Sequence, residues 1–110
     1  MKITAMMAAA AFTLTASAAK AGQTEYGNGV YSPQKGVICD SMGKWCADGT
    51  GLSASWTEHY FGGAAGNALA DATQDKFGFS NHVNCDINTK TCTGGEGKAA
   101  KKMAKQLFKN

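Results

Sequence analysis

Two copies of one motif hold all four cysteines and constrain this chain more than any other feature. Both copies read Cys-Asp, five residues and Cys, over residues 39–46 and 85–92. In each copy a Val precedes the first Cys by two positions, and a Lys precedes the second Cys by two. Matched cysteine pairs in a short chain are typical of a disulfide framework. The repeat therefore predicts the scaffold of the protein, but not its chemistry.

Each copy has the spacing of a β-hairpin with a four-residue loop. Such a hairpin places Cys39 opposite Cys46 and Cys85 opposite Cys92. Directly opposed residues of antiparallel strands have Cα atoms about 4.5 to 5.5 Å apart, which a disulfide tolerates. The Asp that follows each first Cys should accept hydrogen bonds from loop amides. Met42-Gly43 and Asn88-Thr89 are plausible turn residues of the two loops, and Gly43 tolerates a positive φ.

Four cysteines allow three pairings, which the sequence does not distinguish, and we favour a bridge within each copy. On the chain-entropy model, a bridge that closes a loop of this size contributes roughly 2.5 kcal/mol. Two bridges are then a large part of the roughly 4 to 13 kcal/mol expected for so small a domain. The alternative is a zinc site, whose ligand pairs are normally separated by two to four residues. The wider spacing favours disulfides.

The first 21 residues have the three parts of a cleaved secretory signal peptide. Lys2 is the charged end, residues 5–16 are an apolar run, and Ala19-Lys20-Ala21 is an A-x-A cleavage site. A membrane anchor would need about 20 strongly apolar residues, and this segment is rich in Ala and Thr instead. We therefore expect a mature bacterial protein that begins at Gly22 and is periplasmic or secreted, in an oxidising compartment.

Charge is divided unevenly along the mature chain. Residues 22–94 have four Lys against seven acidic residues, a net of −3, whereas residues 95–110 have five Lys and one Glu, a net of +4. The mature net charge is only +1, compared with +3 for the full sequence. This gives little support to nucleic-acid binding, and we expect no nucleic-acid partner.

Residues 22–34 predict a flexible lead-in, because they contain Gly27, Gly29 and Pro33 without a sustained apolar period. Within them, the string Tyr-Gly-Asn-Gly-Val at residues 26–30 resembles the N-terminal signature of pediocin-like antibacterial peptides. That family has a Cys two residues after the Val, where this chain has Ser32. We therefore favour a Gly/Asn turn.

The middle of the chain predicts a helix between the two hairpins. Ser55 and Glu58 fit a capping box that would start the helix. One apolar face follows at helical spacing: Phe61, Ala65, Ala68, Leu69 and Ala72. Two alternatives remain open here. Either Gly62 and Gly66 let another backbone approach a continuous helix, or the helix breaks at Gly62-Gly63.

The predicted core is small and needs covalent bracing. Phe77-Gly78-Phe79 predicts a strand with both rings on one face. The expected core residues are Val37, Ile38, Trp45, Trp56, Tyr60, Phe61, Leu69, Phe77, Phe79 and Val83. We predict an α+β fold over residues 35–94, in which two disulfide-stapled hairpins bracket a central helix.

Residues 95–110 predict a Gly-rich linker and a basic amphipathic helix. Such a helix can lie on an anionic membrane or bind an acidic partner. More often it docks its apolar side on its own domain, and at thirteen residues it is marginal alone. We favour the docked or frayed form. The candidate residues for a partner or membrane contact are Lys98, Lys101, Lys102, Lys105, Leu107 and Phe108.

Signatures of catalysis are lacking. The chain has no H-E-x-x-H, no Gly-rich phosphate loop before a helix and no C-x-x-C redox motif. His59 and His82 could hold a metal with Asp86, but nothing in their spacing selects for it, and surface histidines are the simpler interpretation. We expect no catalytic residue, no metal and no cofactor.

A set of residues spread over about residues 32–92 carries a family resemblance. These are Ser32-Pro33-x-Lys35-Gly36-Val37-x-Cys39-Asp40, Cys46, Gly51, Thr57-x-x-Tyr60-x-Gly62, Phe77-x-Phe79, Asn81, Cys85-Asp86 and Cys92. They resemble the YcgJ-type family of small exported bacterial proteins, also called Fels prophage protein-like. The chain departs from that family at His82, where Gly is expected, and in its Lys-rich tail. The resemblance implies export and disulfides, but no activity.

Together these features predict a non-enzymatic binding or envelope-associated module. Its partner would be a protein or another envelope component, and we expect the module to be a monomer. The alternative is a membrane-active or antibacterial peptide-like protein that acts through the basic tail.

Overall fold

The first half of the mature chain folds into a five-stranded antiparallel sheet. The computed structural model describes residues 23–69 and 74–109, so the predicted signal peptide, residues 1–21, lies outside the described residues. The strands are neighbours in chain order: β1 Thr24–Gly27, β2 Val30–Gln34, β3 Val37–Asp40, β4 Trp45–Asp48 and β5 Gly51–Ser53.

Two short helices lead to a second, three-stranded sheet and a last helix. The elements are α1 Ala54–Phe61, α2 Gly63–Leu69, β6 Lys76–Gly78, β7 Val83–Asp86, β8 Thr91–Gly94 and α3 Ala99–Phe108. The predicted extension of the central helix to Ala72 lies outside the described residues. The predicted α+β fold with two disulfide-closed hairpins is confirmed.

Both repeats form the predicted hairpins, each closed by its own disulfide. Cys39 faces Cys46 across β3 and β4, and Cys85 faces Cys92 across β7 and β8. Each pair is bonded, with its Cα atoms 4.0 Å apart. The favoured pairing is therefore the one that the fold contains.

The loop of each hairpin is shaped by the Asp that precedes it. Asp40 Oδ1 accepts the amides two and three residues on, both at 3.0 Å, and Asp86 Oδ1 does the same at 2.8 and 3.4 Å. The positive φ of the first loop is not at Gly43, which would tolerate it. It falls on the last loop residue, Lys44 (60°) and Lys90 (57°), because a left-handed residue there returns the chain to the second strand.

The described residues of the predicted lead-in form two strands of the first sheet, where the sequence predicts a flexible segment. They form β1 and β2, joined by a two-residue turn in which Asn28 (φ 53°) and Gly29 (φ 82°) are both left-handed. This is the conformation that Asn-Gly favours in a tight hairpin, and it confirms the Gly/Asn turn. Val30 and Ser32 are buried. The domain therefore begins before the predicted boundary at residue 35.

The core lies on both faces of the first sheet, because a different layer covers each. Ile38 belongs to the cluster that includes the second sheet and α3, whereas Val37 belongs to the cluster beside α1. All four residues of β3 are consequently buried.

Half of the predicted core residues are buried: Val37, Ile38, Phe77, Phe79 and Val83. The others are half-buried: Trp45, Trp56, Tyr60, Phe61 and Leu69. Among the described residues, four buried apolar residues other than cysteines lie outside the predicted core: Val30, Ala47, Met103 and Leu107. Three of these four lie on β2 and α3, outside the predicted domain boundaries at residues 35 and 94.

The central helix is divided into α1 and α2. The hydroxyl of Ser53 accepts an amide of the first turn at 3.1 Å, so Ser53 caps the helix and the cap predicted at Ser55 is wrong. α1 ends at Gly62, with φ 98°, which confirms the break. Gly66 lets α2 pack against α1, because a Cβ at Gly66 would lie 2.8 Å from Glu58 Cβ.

Candidate functional site

The C-terminal helix is part of the folded domain. Met103 and Leu107 are 0% and 5% exposed and belong to the core shared by the two sheets. The Gly36 amide donates to Gln106 Oε1 at 2.7 Å, which ties α3 to the β2–β3 turn. The helix is therefore docked, as favoured from the sequence, and the boundary predicted at residue 94 does not separate it from the domain.

Two of the predicted contact residues do not stand on an exposed apolar face. Leu107 is buried in the core and Phe108 is half-buried. Leu107 is thus a core residue rather than a contact residue, because α3 turns its apolar side inward. Within the described residues, no helix has the length and apolar character needed to cross a membrane.

The glycine-rich segment before α3 is a packed turn rather than a hinge. Gly95 has a φ of 70°, and a Cβ there would lie 2.6 Å from Val83 Cγ2. Gly is the residue that adopts this conformation and permits such an approach without strain. The turn therefore sets the direction in which α3 leaves β8.

A groove of about 830 Å³ lies between α3 and β8. Its floor includes half-buried Cys92, Ala100 and Ala104. Six exposed lysines line it: Lys90, Lys98, Lys101, Lys102, Lys105 and Lys109. We call this feature the lysine groove. Lys105 also interacts within the fold, which leaves the other five lysines as the candidates for a partner contact.

The structure brings together the four lysines predicted as contacts and adds Lys90 and Lys109. Lys109 follows α3 directly, at the spacing of the same helix. Lys90 is the last loop residue of the second hairpin, and it reaches the groove because α3 docks beside β8. The helical pattern could have identified Lys109. No local signal links Lys90 to α3, because tertiary packing brings them together.

A second half-exposed cluster lies on α1. Trp56 and Tyr60 stack, with ring centroids 6.0 Å apart, and His59 meets both rings edge-on. The Tyr60 hydroxyl donates to Gln34 Oε1 at 3.2 Å. Burial raises the pKa of Tyr31, and the neighbouring Tyr60 adds to that rise. These contacts are accounted for by the packing of α1 on the first sheet.

The histidines and Asp86 do not form a ligand set. Within residues 23–69 and 74–109, no three His, Cys, Asp or Glu side chains are arranged to hold a metal ion. His59 is exposed on α1, and His82 is exposed in the β6–β7 turn. The lysine groove is therefore the candidate site that the structure builds.

The fold defines a small α+β domain in which two disulfide-closed hairpins and a docked helix share one core. A family model described as YcgJ protein matches residues 30–108. The chain therefore belongs to the YcgJ protein family. Neither a comparison with curated proteins nor one with solved structures found a match.

The chain is expected to depart from the family in its Lys-rich tail and at His82. The matched region extends to residue 108, so α3 lies inside the span of the family rather than beyond its ending. His82 has a φ of 71°, in the left-handed region that favours Gly. The backbone thus gives a physical reason for expecting Gly at this position.

Proposed function

We propose that this protein is exported and acts, without catalysis, as a binding module of the bacterial periplasm or medium. The lysine groove is its contact surface, and its partner is anionic. The observation that carries the proposal is the gathering of five lysines, besides Lys105, from two separate parts of the chain around one groove. Two disulfides suit the oxidising compartment that the leader predicts.

The charge of the groove contrasts with that of the rest of the domain. Residues 22–94 carry a net charge of −3, even though they include Lys90 of the groove. Lysines held close together repel one another, and an opposite charge relieves that repulsion. A uniformly signed cleft also attracts and orients an oppositely charged partner. The distribution therefore supports recognition of an anion at this end of the molecule.

The burial of the apolar side of α3 supports a binding surface over membrane insertion. A membrane-active helix places its apolar face among the lipid chains. In this fold Met103 and Leu107 already pack in the core, and only the lysine side faces solvent. Insertion would first require α3 to leave the domain.

Salt-dependent retention on a heparin column, used as a generic polyanion, tests the site. The oxidised protein should elute at higher NaCl than the pair variant Lys98→Ala/Lys101→Ala, because screening weakens contacts between exposed charges. The control pair Lys35→Ala/Lys76→Ala removes the same charge from outside the groove and should elute close to the wild type. Equal elution of the two pairs would refute the groove as the contact surface.

Export is tested by mass spectrometry of the protein recovered from cells. The mature chain should begin at Gly22 and carry no free thiol. A full-length chain retained with the cytosolic fraction would contradict this part of the proposal.

A further inference from the structure

We infer that the lysine groove receives an extended acidic segment of a partner protein, which pairs with β8 as an added strand. The inference rests on the proposed function and names the class of partner for the same groove. It follows from the backbone of β8, from the first repeat and from the charge of the groove.

The backbone groups of Cys92 point to the open side of β8. On β7, the Val83 carbonyl accepts the Phe79 amide at 2.8 Å, so it points towards β6. Cys85, two residues on, has the same orientation, because strand residues alternate. Cys85 faces Cys92 with Cα atoms 4.0 Å apart, the short separation of a pair whose backbone groups point away from each other. The Cys92 amide and carbonyl therefore face away from β7.

The first repeat shows how such an edge is completed. Cys46, the counterpart of Cys92, donates its amide to Thr57 Oγ1 at 2.8 Å. Its strand, β4, has β3 on one side and β5 on the other. β8 has a strand neighbour only in β7, and in the part of the chain that the structure describes no side chain accepts the Cys92 amide. The second repeat therefore has no equivalent of β5 or of the Thr57 hydroxyl among the described residues.

The length of the groove along α3 matches a short strand. α3 has ten residues, which span about 15 Å at 1.5 Å per residue. An extended segment of four or five residues covers about the same length at about 3.3 Å per residue. Thr91 and Cys92 of β8 line the groove beside α3. An added strand would therefore run along the open edge of β8, beside α3.

The positive charge of the lysine groove favours an acidic strand. Alternate side chains of an added strand lie on one face, where acidic groups would meet the lysines of α3. A second copy of this protein would bring its own lysines to the same edge, and like charges across a strand pair are unfavourable. A lipid surface offers no backbone amides to pair with Cys92. An extended acidic segment would form hydrogen bonds with the backbone of Cys92, and its acidic side chains would offset the positive charge of the lysines.

Titration of the oxidised protein with synthetic peptides tests the inference. The probe is an end-capped eight-residue peptide of alternating glutamate and threonine. Two further probes are N-methylated, one at every glutamate and the other at every threonine, so that each lacks the amides of one strand edge. Isothermal titration gives the affinities, and hydrogen exchange follows the Cys92 amide.

We expect the unmodified peptide to bind and to slow exchange of the Cys92 amide. One of the two N-methylated peptides should bind at least about tenfold more weakly, and the other should bind like the unmodified one. The pair variant Lys98→Ala/Lys101→Ala should weaken binding about fivefold, and Lys35→Ala/Lys76→Ala should have little effect.

The failures of the two proposals are distinguishable. If both N-methylated peptides bind like the unmodified one, strand addition is refuted while the anionic groove stands. Strand addition by a peptide is also refuted if phosphatidylglycerol vesicles bind through Lys98 and Lys101 but the peptides do not. It is likewise refuted if the protein self-associates through β8. If no anionic probe depends on these lysines, both proposals fail.

Discussion

The Asp40 carboxylate joins the two sheets by accepting two hydrogen bonds from Ser80, one from the amide at 2.7 Å and one from the hydroxyl at 3.0 Å. Ser80 lies in the β6–β7 turn, and Asp40 ends β3. The same carboxylate holds two amides of its own loop and is 1% exposed. Asp86, its counterpart in the second repeat, is half-buried. The repeated Asp thus has a tertiary role in the first copy only.

Asp40→Ala should lower the free energy of unfolding by about 3 kcal/mol, because it leaves four part-buried donors without their acceptor. Asp86→Ala should cost about 1 kcal/mol, since its loop amides are exposed to water. Urea unfolding of the oxidised proteins measures both. Equal losses would contradict the tertiary role of Asp40.

The disulfide between Cys85 and Cys92 should be reduced before the one between Cys39 and Cys46. Cys92 is half-buried, whereas Cys39 and Cys46 are both 0% exposed, and thiol–disulfide exchange requires access to the sulfur. Limited reduction, alkylation and peptide mapping give the order.

The control for this order is reduction in strong denaturant, where both bridges are accessible and the difference in rate should disappear. If the bridge of the first repeat opened first under native conditions, the burial argument would be wrong.

Gly66→Ala should destabilise the protein by about 1 to 3 kcal/mol, because its Cβ would overlap the backbone and side chain of Glu58. Gly63→Ala is the matched control on the same helix, with no atom within 4 Å of the added Cβ. It should be neutral or stabilise by up to about 1 kcal/mol. Thermal unfolding distinguishes them, and a stabilised Gly66→Ala would refute the close packing of α1 and α2.

His82→Gly should stabilise the protein by about 0.5 to 1 kcal/mol, because Gly adopts the left-handed φ of 71° without steric cost. His59→Gly, in the exposed helix α1, should instead cost about 1 kcal/mol. Urea unfolding of the two variants gives the comparison. A loss of stability in His82→Gly would show that the contacts of the His side chain contribute more to stability than the steric cost of its left-handed φ removes.

Tyr26 should make the folded state less stable at alkaline pH. Burial raises the pKa of its phenol, and a hydrogen bond with the Gln106 side chain offsets part of the rise. Because the folded pKa exceeds the unfolded one, this contribution is complete below about pH 10 and is lost as pH rises through the folded value. In Tyr26→Phe, the fall in unfolding free energy above pH 10 should be smaller. Identical pH profiles would contradict the shift.

The hairpins could be predicted because their information is local. Six residues between two cysteines, with an Asp at the loop entrance, determine a register that the fold then confirms. The Asn28-Gly29 turn is equally local, but the glycines around it were interpreted as flexibility instead of as a tight hairpin. The segment is nevertheless part of the domain. The alternation of buried Val30 and Ser32 along β2 is the local signal that identifies it.

Two pairs of residues show where local patterns are insufficient. Asp40 and Asp86 follow their cysteines in the same way, yet only Asp40 meets a serine forty residues away. Lys98 is a candidate contact in the sequence and Lys90 belongs to the second repeat, but they border one groove only because α3 packs beside β8.

Short-range spacing favours the disulfide pairing that the fold contains, and it predicts the hairpin register and the amphipathic character of the last helix, because each depends on residues within a few positions of one another. The division of the central helix, the docking of α3 and the assembly of the lysine groove depended on which surfaces come together in three dimensions. Packing of apolar faces has no preferred partner in the linear chain, so only the folded molecule selects one.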